Sequence, residues 1–180
     1  MSPQSNLITL GYLDIIRIDF ILGFFSYMTI FFQGLKNHKL DSCYLLIMNE
    51  VTFSSDEIRF LCSNEICRIA TCNNDLPHVT PVSYIFDEGK FYFATDYNTL
   101  KYNNLKKNNR ISLVVDKSEN NKNTAVVTRG ITTFIHKGRR FEILYNIFHK
   151  KFDWVKKDPW KQGEAPFIEV IPKSKVSWGF

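Results

Sequence analysis

From Phe53 onward, apolar and polar positions fall into short regular runs. Ser54, Ser55, Asp56 and Glu57 read as a helix start: Ser54 caps, and Glu57 three residues on completes a capping box. Ile58, Leu61, Cys62 and Glu65 follow at helical spacing and predict a short helix with one apolar side. Residues 66–72 and 79–86 predict strands joined through Asn73, Asn74 and Asp75. Asp87, Glu88 and Gly89 then turn the chain into a third strand over 90–95, where Phe91 and Phe93 alternate with Tyr92. Pro81 has no N–H to give a ladder, so its strand is expected at an edge or bulged there.

Residues 99–108 predict a helix capped by Thr99, with Leu100, Asn104 and Leu105 at helical spacing. A largely apolar strand follows over 111–116, and the polar, Asn-rich stretch 118–123 reads as a mobile loop. A long strand over 124–135 carries Gly130, a candidate bulge or corner. Phe141, Leu144, Tyr145, Phe148 and Phe152 mark the best amphipathic helix of the chain. Residues 156–166, with two prolines, read as a loop, and 167–171 and 175–180 as two closing strands. Six or seven strands with sparse helices indicate a mostly β (β+α) domain built as a small antiparallel barrel.

Residues 1–47 form a different kind of sequence. The run 20–35 is apolar and aromatic, but at sixteen residues it is shorter than the roughly twenty a membrane helix needs. Extending it upstream brings in Asp14, Arg17 and Asp19, each costly in lipid. It lacks the basic lead-in and cleavage site of a secretory signal. Three readings stand: translated upstream sequence with the natural start at Met48, an anchor within 7–35, or a helix covering the domain. The chain therefore divides into an N-terminal hydrophobic extension, 1–47, and a domain, 48–180.

Composition sharpens the picture modestly. At 180 residues, 44% hydrophobic and 23% charged, the chain has a globular composition. Its 16 Phe and 8 Tyr favour strands and aromatic packing. In 1–47, Arg17, Lys36 and Lys39 balance Asp14, Asp19 and Asp41, so the whole net charge of +5 lies in 48–180. That excess suits an anionic ligand or is simply a solvated basic surface. Cys62, Cys67 and Cys72 recur every five residues, a spacing unlike zinc sites, and Cys67 and Cys72 should face opposite ways in a strand. Free thiols of a reducing, cytoplasmic compartment are the reading adopted.

Lys101 is the foremost candidate for chemistry. In the first turn of a helix it would stand beside free backbone N–H groups, where anions bind, and Thr99 could add a hydroxyl. A solvated helix lysine is the plain alternative. Arg68 lies among mostly apolar strand residues, either holding an anion or facing solvent; Ala70 shares its face and Thr71 does not. His78, beside Pro77, has no carboxylate or cysteine at useful spacing and reads as structural. The common nucleotide-loop, zinc-protease and hydrolase motifs do not occur.

Five ordered segments carry a family resemblance: Phe60-Leu61 with Arg68-Ile69-Ala70-Thr71; Pro77-His78-Val79-Thr80-Pro81-Val82-Ser83; Phe91-Tyr92-Phe93-Ala94-Thr95; Lys101 with Asn104-Leu105; and Arg110-Ile111-Ser112-Leu113. Residues 53–180 resemble the pyridoxamine 5′-phosphate oxidase-like flavin-binding split barrels. The resemblance implies an antiparallel split β-barrel of about six to seven strands with a few short helices, forming a homodimer that binds flavin mononucleotide (FMN) between subunits. It implies that Arg68, Ile69, Ala70 and Thr71 line the flavin and its phosphate. Ala94 and Thr95 would contact the cofactor, Lys101 would hold the phosphate, Val82 and Ser83 would lie near the ring, and Trp178 would approach it. Many relatives carry Arg-Lys where this chain has Leu100-Lys101, and Ala125 stands where the oxidase has a flavin-contacting glutamine. The oxidase's C-terminal Arg and His substrate motif has no match near 167–180, so vitamin B6 oxidation is not the expected reaction.

The expectation is thus an FMN-dependent oxidoreductase of unknown substrate. Some split barrels use deazaflavin F420 instead, and others bind haem. A reading of another class is a non-enzymatic cofactor- or nucleic-acid-binding barrel, with Tyr97, Lys101, Tyr102, Lys106, Lys107 and Arg110 as its surface. The residues around the third strand give no row of exposed rings, and no nucleic-acid partner is expected.

Overall fold

The computed structural model describes residues 51–180. The readings of 1–47, including the anchor, fall outside the described residues. Among those described, no helix is long and apolar enough to cross a membrane.

The elements run α1 (Ser55–Ser63), β1 (Ile66–Asn73), β2 (Leu76–Asp87), β3 (Lys90–Ala94), α2 (Leu100–Lys107), β4 (Arg110–Glu119), β5 (Lys122–Ile135), α3 (Arg139–Lys151), α4 (Asp153–Lys157) and β6 (Phe167–Trp178). Six strands close a barrel in the order β1-β2-β3-β6-β5-β4, every neighbouring pair antiparallel. The strand β2 changes partner along its length. Residues 76–83 pair with β1, and Tyr84 to Asp87 pair with β3. Pro81 therefore sits where β2 is laddered on one side, so its missing N–H leaves no ladder position empty.

Alternation along the strands sorts side chains into two apolar layers. Cys67, Ile69, Tyr84, Phe91, Phe93, Leu113, Val126 and Ile168 fill the barrel together with Leu61 of α1 and Leu105 of α2. On the outside, Ile85, Tyr92 and Phe167 meet Phe141, Leu144 and Phe148 of α3, with Phe152 and Val155 beyond. The aromatic alternation of β3 thus buries both faces: Phe91 and Phe93 inward, Tyr92 under α3.

Several local expectations need correction. Residues 118–123 are not a loop: β4 and β5 pair out to Glu119↔Lys122 around Asn120 and Asn121, whose φ values of 50° and 60° make a tight left-handed turn. Residues 167–178 form one strand rather than two, because Pro172 lies opposite Gly130 at a bulge in β6, where Lys173 is the extra residue and the ladder is already irregular. On α1, Ile58 and Cys62 are exposed, and the buried positions are Glu57 and Leu61. On α2, Leu100 is exposed and Tyr102 takes its place in the packing.

The capping box at Ser54 is formed: Ser54 N–H donates to Glu57 Oε2 at 2.7 Å, and Glu57 N–H donates to Ser54 Oγ at 3.2 Å. The same Glu57 carboxylate accepts from Lys175 Nζ and Ser177 Oγ of β6, tying the first helix to the last strand. Burial works to raise the Glu57 pKa, but the bonds from Lys175, Ser177 and the Ser54 N–H outweigh it and hold the carboxyl below its usual range. At the other end of α1, Lys151 of α3 donates to the carbonyls of Cys62, Asn64 and Tyr84. Its burial pulls the ammonium below the ordinary lysine value.

Candidate functional site

The end of β3, the start of α2 and the segment before β6 enclose a cleft of about 410 Å³. That is within the roughly 300–1,000 Å³ of small-molecule sites. Val82 and Ser83 of β2 form its floor; Ala94, Thr95, Asp96 and Lys101 form one wall. A second wall, from the segment that leads into β6, is Trp154, Asp158, Pro159, Trp160, Glu164 and Ala165.

The first wall is organised by a helix cap. Thr99 precedes α2 in an extended conformation and its hydroxyl accepts from the Tyr102 N–H at 3.4 Å. The hydroxyl also donates to the carbonyl of Asp96 at 2.9 Å, which makes Thr95 Oγ1, 2.9 Å away, the donor between the two threonines. The first-turn amides of Leu100 and Lys101 have no intrahelical acceptor by helix geometry. Thr95 is buried, and its N–H donates to the carbonyl of Pro166 at 3.2 Å, joining the two walls at their base. Among the described residues Lys101 makes no ion pair. The Lys101 ammonium, the Thr95 hydroxyl and a helix N-terminus are a suitable donor set for a phosphate.

The second wall is aromatic and acidic. The Trp154 and Trp160 rings lie nearly parallel, 9° apart with centroids at 5.8 Å. Trp154 is 43% exposed, and Trp160 Nε1 is buried with no acceptor among the described residues. Sequence reasoning did not single out this wall. The available signal was two tryptophans flanking Pro159 in a segment otherwise read as a polar loop.

Of the residues expected to touch a cofactor, Val82, Ser83, Ala94, Thr95 and Lys101 come together here from three separate segments. The other five lie elsewhere in the described chain. Ile69 is wholly buried in the barrel core. Thr71 is buried and accepts from Asn104 Nδ2 at 3.1 Å. Arg68 is on the outer face of β1, where its guanidinium pairs with Asp116, both half exposed. Ala70 shares that outer side, and Trp178, 48% exposed, pairs with Ala125 at the far end of the β5–β6 ladder.

Other candidate chemistry is placed clearly. Cys67 points into the core, where burial pushes its thiol up to about 12. Cys62 is exposed and Cys72 half-buried, so the three thiols do not converge. His136 Nδ1 is 3.1 Å from the Tyr97 hydroxyl, and no histidine among the described residues lines the cleft. Tyr102, considered for nucleic-acid stacking, is buried, with Lys106 Nζ 5.7 Å from its ring centroid.

Similarity to known proteins agrees with this architecture. A conserved hypothetical protein of Mycobacterium tuberculosis superposes with a TM-score of 0.61 at 16% identity, covering 73% of this chain and 87% of its own. A FAD-binding protein of Mesorhizobium loti gives 0.58 at 19%, covering 69% and 94%. A haem storage protein of Vibrio cholerae gives 0.62 at 12%, covering 70% and 95%. At such identities these likenesses speak to the fold. Among curated protein sequences none matches the chain. The family model of pyridoxamine 5′-phosphate oxidase matches residues 55–176, nearly the whole barrel. By that match and its six-stranded barrel, the chain belongs to the pyridoxamine 5′-phosphate oxidase family.

Proposed function

We propose that the protein binds FMN in the cleft between the start of α2 and the tryptophan wall, and works as a flavin-dependent oxidoreductase. The observation that carries this reading is the convergence of Val82, Ser83, Ala94, Thr95 and Lys101 on one cleft beside the capped N-terminus of α2. Lys101 neutralises the phosphate, and the Thr95 hydroxyl turns its hydrogen from Thr99 to a phosphate oxygen. The short side chains of Val82, Ser83 and Ala94 leave the backbone open to a flat ring. A bound flavin supplies the acceptance and return of a hydride, which explains why the cleft needs no acid–base dyad of its own.

Solved structures of the same fold include FAD-binding proteins of Mesorhizobium loti and Mycobacterium smegmatis, which supports a flavin as the ligand class. Others are a haem storage protein and a haem-binding protein. Among the described residues no His, Cys, Met or Tyr lines the cleft, so these offer haem no axial ligand. A homodimer is part of the proposal. Ile66 and Val79 expose 45% and 65% of their surface on the outer face of the β1–β2 hairpin, apolar positions that a second copy would cover.

Purified protein should be yellow, with the two near-visible absorption bands of an oxidised flavin. Lys101→Ala should bind FMN about 10- to 100-fold more weakly, the loss of one charge-assisted hydrogen bond. A folded protein that takes up neither FMN nor a deazaflavin refutes the reading, and uptake of the deazaflavin alone replaces the cofactor. Light scattering at micromolar concentration tests the dimer.

A further inference from the structure

We propose that the Trp154–Trp160 wall is the substrate side of this cleft and that it selects a flat organic cation. The proposal rests on the flavin reading for the other wall but not on that reading for its own chemistry. Two independent features of the wall agree. The first is the near-parallel tryptophan pair, whose outer member keeps 43% of its surface open on a short helix directly beside the cleft. Exposed indole is expensive to leave in water, and its π-face attracts cations more strongly than that of any other aromatic side chain.

The second feature is charge. Asp96, Asp158 and Glu164 border the cleft against the single ammonium of Lys101. None of the three carboxylates is in an ion pair among the described residues. The protein as a whole carries +5, so this cleft is negative on a positive molecule. Once Lys101 is neutralised by a phosphate, a second anion would meet three carboxylates and no free cation. An anionic substrate such as a phosphorylated vitamer is therefore repelled, whereas an aryl or heterocyclic ammonium meets both the indole face and the carboxylates.

The test is a titration of flavin-loaded protein with phenyltrimethylammonium and, separately, benzoate, read by tryptophan fluorescence. The expected result is saturable quenching by the cation, with benzoate at least about tenfold weaker. Trp154→Ala should weaken cation binding about tenfold and Trp154→Phe should restore most of it. Asp158→Asn, at an exposed position, should weaken it about threefold and flatten its salt dependence. Equal affinity for cation and anion, or a cation titration indifferent to both Trp154→Ala and Asp158→Asn, overturns the proposal. The same titration on flavin-free protein separates the two readings. Cation binding without flavin uptake leaves this inference standing and removes the cofactor, and flavin uptake without cation selectivity does the reverse.

Discussion

Asn104 donates its side-chain amide to Thr71 Oγ1 across 3.1 Å, with both residues buried. This single bond links α2, which carries Lys101, to β1, which carries Arg68, Ile69, Ala70 and Thr71. In the folded chain Thr71 supports the helix of the phosphate site from beneath, through Asn104.

Asn104→Ala should therefore cost about 1–3 kcal/mol, since it leaves the Thr71 hydroxyl buried without that partner. Thr71→Val should cost a similar amount by stranding the amide. Combining Thr71→Val with Asn104→Leu should recover most of the loss, because two apolar groups leave nothing unpaired. Urea midpoints of the three variants check the pattern; strict additivity of the two losses would contradict it.

The Glu57 carboxylate predicts an acid limb of stability. Its pKa is depressed in the folded state, so its contribution is complete above the ordinary value of 4.5 and disappears as pH falls through the lower folded value. At pH 7, Glu57→Gln should lose about 2–4 kcal/mol, because Lys175 is left without its carboxylate partner. The gap between wild type and variant should narrow steadily below pH 4.5. Thermal unfolding across pH 3–7 measures it, and a gap independent of pH would be the contrary result.

Gly130 predicts a steric limit at the bulge. A Cβ there would lie 2.5 Å from the carbonyl oxygen of Ile171, a backbone atom that cannot swing aside. Gly130→Ala should cost about 2–3 kcal/mol, the upper end of overpacking. A urea midpoint equal to that of the wild type would show that β5 and β6 separate easily.

Asn121 offers the opposite sign. It sits at φ 60° in the turn between β4 and β5, a region glycine enters without strain. Asn121→Gly should raise stability by about 0.5 kcal/mol, seen as a small rise in melting temperature. A fall would mean that the asparagine side chain holds the turn.

What could be read from the sequence follows the range of each interaction. The Ser54 and Thr99 caps, the β1–β2–β3 meander and the amphipathic face of α3 are set by neighbours a few residues apart, and all are present as expected. The Asn120-Asn121 turn was legible only by allowing both asparagines the left-handed region; polarity alone suggested a loop. The continuity of β6 was not legible, because Pro172 sits at a register shift set by pairing with Gly130 on another strand. The same holds for the site. Lys101 and Thr99 announce themselves through a local helix start, whereas the Trp154 wall becomes part of the cleft only through the return of the chain into β6 beside β3.

The hydrogen bond from the Thr95 N–H to the Pro166 carbonyl has a mechanical consequence. It continues the β3–β6 ladder one step past Ala94↔Phe167, so both sides of the cleft spring from the same two strands. The cleft is thus a notch cut at a seam, with a floor as stiff as the sheet. The outer span 158–164 is braced in turn from α3, where Gln162 accepts from the Gly138 N–H at 2.8 Å and donates to Glu142 Oε1 at 2.9 Å.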